Sequence, residues 1–146
     1  MPKPRCLLDV NVWVALLDDA HVHNATAQRL FSEPNLKIAS CAMVENGVLR
    51  VLNLPAYSKY APPGFAAVRN KLRSIYALVD CEHWDLGLSL VRAEAINWSR
   101  VMGHNQITDA YLLALAVAQG GALATLDHRV ALSAVHGAHT QHLVLL

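Results

Sequence analysis

Short apolar runs alternate along this chain with longer stretches in which apolar residues return every three or four positions. Arg5-Cys-Leu-Leu-Asp9 reads as a short buried strand ending at Asp9, and Asn11 to Leu17 as the helix that follows. His23–Phe31 is a second helical stretch, closed by Pro34. Leu36 to Ala39 is strand-like, and Ser40 is placed to cap a helix from Cys41 to about Asn53, which Pro55 stops. Phe65, Val68, Leu72, Ile75 and Tyr76 recur at helical spacing, with Arg69, Lys71 and Arg73 on other faces. Residues 78–90 read equally as strand or loop, and a helix is expected over Arg92–Ser99. Asn105 caps a helix that ends at Gln119 against Gly120-Gly121, and Ala122–Leu126 and His142–Leu146 supply the last strands. Such alternation predicts an α/β fold, a central, mainly parallel sheet flanked by helices, rather than a bundle or barrel.

Length and composition narrow this further. At 146 residues the chain has room for one core, so a single domain over 1–146 is expected. Apolar residues make up 54% and charged residues 16%, which excludes a disordered chain. The longest apolar run, Ala110–Ala118, is nine residues and too short to span a bilayer. The opening Met-Pro-Lys-Pro-Arg-Cys lacks the apolar stretch of a signal peptide, so a cytoplasmic protein without membrane contact is expected. Cys6, Cys41 and Cys81 are widely spaced with no C-x-x-C, which favours buried thiols over disulfides or structural zinc. A formal net charge of +1 announces no global field for nucleic acid.

The acids carry the chemistry. In a parallel sheet the carboxyl ends of the strands share one edge, and sites form there. Asp9 closes the first strand, and Asp127 follows Ala122–Leu126. The helix ending at Gln119 descends from that edge by about 20 Å, and the next strand climbs back about 17 Å. Asp127 should thus return near Asp109, and Glu45, one turn into its helix after the second strand, obeys the same logic. Asp109 precedes Leu112, Leu113 and Ala116, and Glu45 precedes Val48, Leu49 and Leu52, so both lie on apolar stripes. Desolvated, mutually repelling carboxylates are satisfied by a divalent cation, and oxygen ligands without His or Cys favour Mg²⁺ or Mn²⁺. Taken singly, each acid also fits a turn, a cap or a macrodipole partner.

Four segments then occur in order: Leu-Leu-Asp9-Val-Asn11-Val-Trp, Val-Glu45-Asn-Gly-Val-Leu-Arg-Val-Leu, Gln-Ile-Thr108-Asp109-Ala-Tyr-Leu-Leu-Ala-Leu-Ala and Leu-Ala-Thr125-Leu-Asp127. Together they resemble a PIN-domain ribonuclease, specifically a VapC-type toxin of a bacterial type II toxin–antitoxin pair. The resemblance implies a PIN-like three-layer fold and runs from residue 5 to the end. It assigns Asp9, Glu45, Asp109 and Asp127 as the catalytic and metal-binding acids, with Asn11 supporting the first aspartate and Thr108 and Thr125 flanking the site. Val79–Leu90 lies where the family varies too much to be matched position by position, so Asp80, Glu82 and Asp85 are read as surface charges.

The chemistry implied is hydrolysis of RNA phosphodiesters assisted by one or two Mg²⁺ or Mn²⁺ ions. With the quartet set apart, seven acids face twelve basic residues, a surface suited to a phosphate-rich partner. Arg50, His104, His128 and Arg129 flank the motifs as substrate contacts or ordinary solvated side chains, and Arg69, Lys71 and Arg73 are RNA-facing or merely solvated. The resemblance also implies a homodimer and a small VapB-like antitoxin, for which Trp13, Leu16, Leu17 and the helix Phe65–Tyr76 offer apolar area. The alternative is a catalytically weak PIN-like module that binds RNA or an antitoxin. A HAD-type phosphatase would need an acid where Asn11 stands, and a receiver domain an acidic pair ahead of its phosphorylated aspartate.

Overall fold

The computed structural model describes residues 3–57 and 61–146. Five strands form one sheet in the order β3-β2-β1-β4-β5, with every pair parallel. The strands are β1 (Cys6–Leu8), β2 (Lys37–Ser40), β3 (Asp80–His83), β4 (Ala122–Thr125) and β5 (Leu143–Leu145). Among the described residues five α-helices connect and cover them: α1 (Val10–Leu17), α2 (Asn24–Phe31), α3 (Ala42–Leu52), α4 (Phe65–Leu78) and α5 (Ile107–Ala118).

Burial explains which segments became which. Every residue of β1 and of β4 is buried, the continuous apolar signature of a strand covered on both faces. α5 buries Ala110 through Ala116 without a break, so it passes through the core rather than lying over it. α4 buries only Val68 and Leu72 and lies at the surface. Trp13 anchors the opposite side of the core: fully buried, it meets Phe31 and Tyr76 with ring centroids 5.6 Å away in each case. The turn from α5 to β4 depends on its glycines. Gly120 adopts φ +69°, the left-handed conformation that ends a helix. At Gly121 a Cβ would stand 2.5 Å from the Arg5 carbonyl oxygen and 2.7 Å from the Trp84 ring, so only a bare backbone lets β4 start beside β1.

Several local expectations are corrected. Ser40 ends β2, and Cys41 occupies the N-cap of α3 without a side-chain cap bond. Asn105 lies inside a 3₁₀ turn, His104–Gln106, that leads into α5. The helix expected over Arg92–Ser99 is absent, because Ile96 is the one residue of 92–99 that is buried and a helix there would have no apolar face to bury. The backbone of that segment instead pairs with the 134–136 stretch, through Asn97 N–H to Ala134 (2.9 Å) and His136 N–H to Ala95 (2.9 Å). Residues 78–90 contain β3, whose partner is β2. Cys6 and Cys41 are buried and Cys81 partly so, and all three are free thiols. Among the described residues no helix is long and apolar enough to cross a membrane.

Candidate active site

In this strand order the chain turns back on itself between β1 and β4, since β2 and β3 lie on one side of β1 and β4 and β5 on the other. Crevices at such a reversal, outside the carboxyl ends of the strands, are where open parallel sheets place ligands. Asp9 follows β1 directly and Asp127 lies two residues beyond β4, so the two flank that point.

The buried hydroxyl of Thr125, the last residue of β4, ties the two together. It donates to Asp9 Oδ2 (2.8 Å) and accepts from Asn11 Nδ2 (3.2 Å) and from the Asp127 backbone N–H (3.0 Å). Asn11 closes the loop by accepting the Leu126 N–H at its Oδ1 (3.2 Å). Asp9 also N-caps α1, accepting the Val10 N–H at Oδ1 (2.7 Å), and its own backbone N–H donates to Ala124 (2.9 Å). Asp9 is therefore 6% exposed yet fixed at both oxygens. Burial pushes its carboxyl above the ordinary range, the bonds from Thr125 and Val10 pull it back, and the charge of Asp127 adds to the rise.

Asp109 stands in the first turn of α5, half-buried, beside Arg129 and Arg100 in a narrow crevice. Burial first, then repulsion from Asp9 and Asp127, raises its carboxyl to about 6, against a weaker pull from Arg129. Asp127 goes the other way: its bonds to Arg129 hold it below the ordinary range. Arg129 Nε reaches Asp127 Oδ1 (3.0 Å), its Nη2 reaches Oδ2 (3.1 Å), and the Arg129 backbone N–H adds a third bond to Oδ1 (2.9 Å).

Glu45, in the first turn of α3, belongs to a second set of contacts. Its Oε2 accepts from Tyr76 Oη of α4 (2.9 Å) and from Ser40 Oγ (3.3 Å), while His83 Nδ1 stands 3.9 Å from Oε1. The buried Cys41 thiol feels the charge of both Glu45 and Asp9, which places it between the two sets. The carboxyl edge thus carries all four acids, three of them coupled electrically around Thr125 and the fourth held toward α4. Among the described residues, no group of three or more His, Cys, Asp or Glu side chains is close enough together to hold a metal ion. The single tight pocket expected from the sequence is therefore opened by the Arg129 and Tyr76 contacts, which draw Asp127 and Glu45 to separate partners.

The other expected positions divide. Thr108 is exposed in the first turn of α5. His104 is exposed one turn earlier, and His128 Nε2 lies 3.1 Å from the Leu146 carbonyl at the end of the chain. Arg50 sits in the last turn of α3, about 7.5 Å along the helix from Glu45 and away from the rim. Trp13 and Leu16 are core residues, and Leu17 is half-buried against the same core. Sequence reasoning missed Ser40 and Tyr76 as partners of Glu45. The legible signal was a tyrosine on the apolar stripe of α4, since a buried phenol needs a polar partner.

The model for the family described as the PIN domain matches residues 6–136. The chain belongs to the PIN-domain family. This PIN domain is 41% identical over 143 residues to a Mycobacterium tuberculosis protein named Ribonuclease VapC44, covering 97% of this chain and 99% of the relative. It is 34% identical over 125 residues to Ribonuclease VapC29 of the same organism, covering 86% and 87% of the two chains. The crystal structure of Mycobacterium tuberculosis VapC20, described as a Sarcin-Ricin loop cleaving toxin, superposes with a TM-score of 0.53 at 20% identity, over 86% of this chain and 92% of that one. That likeness bears on the fold, and it agrees with the parallel sheet flanked by helices.

Proposed function

We propose that this chain, as one PIN domain over residues 1–146, is an endoribonuclease that hydrolyses RNA phosphodiesters with Mg²⁺ or Mn²⁺, and is the toxin of a toxin–antitoxin pair. The observation that carries this reading is the Thr125-centred junction at the strand reversal: a buried Asp9 fixed at both oxygens, an adjoining Asp127, and Asp109 raised to about 6 by burial and by those two charges. The donors are all carboxylate oxygens, the chemistry a hard divalent cation takes, and Asp109 already feels the excess negative charge. For more than two of the acids to meet one ion, Arg129 and Tyr76 would have to release Asp127 and Glu45. Asp9 and Asp109 would hold the ion directly, with Asp127 and Glu45 completing the shell in part through water. A cation so held supplies charge stabilisation at a phosphate oxygen and acidifies a nucleophilic water.

The chain's own residues do the rest. Thr125 and the Val10 N–H fix the orientation of Asp9. Asp109, raised by burial and by the charges of Asp9 and Asp127, is the acid that a bound cation would relieve most. Tyr76 and Ser40 both occupy Oε2 of Glu45, which leaves Oε1 for a water or ligand. Arg129 is near enough to Asp109 to be attracted by it and is itself exposed, so it is suited to meet a phosphate. The relatives' names support RNA as substrate. A small antitoxin, a homodimer and a cytoplasmic location complete the proposal.

The separated contacts of Glu45 and Asp127 favour one rival, a PIN domain that binds RNA or a partner without cutting. Incubating purified protein with a labelled RNA in Mg²⁺ or Mn²⁺, with and without EDTA, decides between them. Cleavage that EDTA abolishes, and that Asp9→Asn abolishes without loss of fold, is the expected result. Persistent cleavage in EDTA refutes the metal mechanism, and RNA binding with no cleavage under any metal establishes the rival.

A further inference from the structure

α4 spans Phe65–Leu78 and carries Arg69, Lys71 and Arg73 with no acid at all. Two of these basic residues share a face and the third does not. Arg69, Leu72, Arg73 and Tyr76 follow the i, i+3, i+4, i+7 spacing of a single helical stripe. That stripe faces α3, where Glu45 and Leu49 are likewise four residues apart, and between them lies a crevice of about 250 Å³. Lys71 lies around the helix, lining a different groove with Leu17 and Ile75.

The crevice has an uneven chemistry. Leu49, Leu72 and the Tyr76 ring give it apolar walls, and Glu45 adds a carboxylate to the lining. Arg69 and Arg73 stand exposed at its rim, about 6 Å apart along the helix axis. Among the described residues neither forms an ion pair, and Arg69 reaches only the neutral Asn70 Oδ1, at 3.3 Å. Glu45 makes no ion pair with either arginine: Tyr76 and Ser40 donate to its Oε2, and its nearest basic group is His83 Nδ1, 3.9 Å from Oε1. Two unneutralised guanidinium groups over an apolar floor suit a nucleotide, whose phosphate takes the charge and whose base takes the floor. Glu45 lines this crevice and is also one of the four rim acids, so a strand lying here runs on toward Asp9.

We propose that the crevice between α3 and α4 is a nucleotide subsite for single-stranded RNA, with Arg69 and Arg73 contacting phosphates next to the one cleaved. The inference rests on the nuclease reading for its direction but not for its test. Binding of a fluorescein-labelled single-stranded RNA is measured by anisotropy in Mg²⁺ over a series of salt concentrations, using protein in which Asp109→Asn prevents turnover. Adding Arg69→Gln and Arg73→Gln should weaken binding at least tenfold and flatten the salt slope by about 0.7 for each phosphate no longer neutralised. Lys71→Gln, the same charge change on another face of the helix, should leave both unchanged. In otherwise wild-type protein the paired arginine substitutions should raise KM with little change in kcat.

Unchanged RNA binding in the double variant overturns the subsite and leaves the arginines to an acidic protein segment. An equal weakening with Lys71→Gln overturns it in favour of diffuse charge. The nuclease reading fails separately, if wild-type protein binds RNA through Arg69 and Arg73 but never cuts it.

Discussion

Replacing Asp109 with Asn should make the metal-free protein more stable while removing its activity. Asp109 is half-buried, and burial together with Asp9 and Asp127 lifts its carboxyl from 3.8 to about 6. A shift of that size corresponds to about 3 kcal/mol against the charged form. Solvent reaching the exposed half screens much of this, so about 1 kcal/mol is the expected net effect at neutral pH. The sign follows from proton binding. Between pH 4 and 6 the folded protein holds a proton here that the unfolded chain has released, so folding stability falls as pH rises through that window. Asparagine carries no such penalty. The advantage of Asp109→Asn over wild type should therefore be near zero at pH 4, open toward pH 6, and stay constant above it. Urea denaturation in EDTA across this range measures the gap directly, and at neutral pH the melting temperature should rise by about 3 °C. Adding Mn²⁺ should stabilise wild type and not the variant, by linkage of binding to folding. A variant no more stable than wild type at pH 7.5, or a gap independent of pH, would refute the electrostatic account of the site.

Thr125→Val keeps the shape but removes a buried hydroxyl that serves Asp9, Asn11 and the Asp127 backbone. It should cost about 2–3 kcal/mol in urea denaturation and abolish cleavage, and Thr125→Ser should restore most of both. Tyr76→Phe removes one bond to Glu45 and should cost about 1 kcal/mol while slowing cleavage several-fold. In a Glu45→Gln background the same change should slow cleavage no further, and an additive effect in the kinetic cycle would show that Tyr76 acts independently of Glu45.

The parts of the fold that were readable are those where burial wrote itself into the apolar pattern. β1, the Ala110–Ala118 part of α5 and Ala122–Ala124 of β4 are continuous apolar runs because both of their sides are covered, and α3 and α4 show clear stripes. β3 was not readable, since Asp-Cys-Glu-His has no apolar alternation and is a strand only because its backbone pairs with β2. The false helix over 92–99 arose from good helix formers with too little to bury. At the site, the positions of all four acids at the carboxyl edge followed from topology. Their partners did not: Tyr76 meets Glu45 across 31 positions of sequence, and only the packing of α4 on α3 brings them together. Arg129 stood beside Asp127 in sequence, yet its turn back onto both carboxylate oxygens is a matter of side-chain geometry that spacing does not encode.

At the far margin of the sheet, Arg5, next to β1, ties β2 and β3 together with one guanidinium. From just before β1 it crosses β2 to bond the Ile38 carbonyl (2.9 Å), then the Asp80 carbonyl (3.0 Å) and carboxylate (2.8 Å), with Glu82 at 3.2 Å. The outermost strand is thereby a fringe of charge, Asp80, Glu82 and His83 all exposed. A second copy trying to lengthen the sheet there would have to dehydrate those groups and compete for Arg5. Self-association by strand addition is closed on that side, so two copies that meet there must do so through their helices.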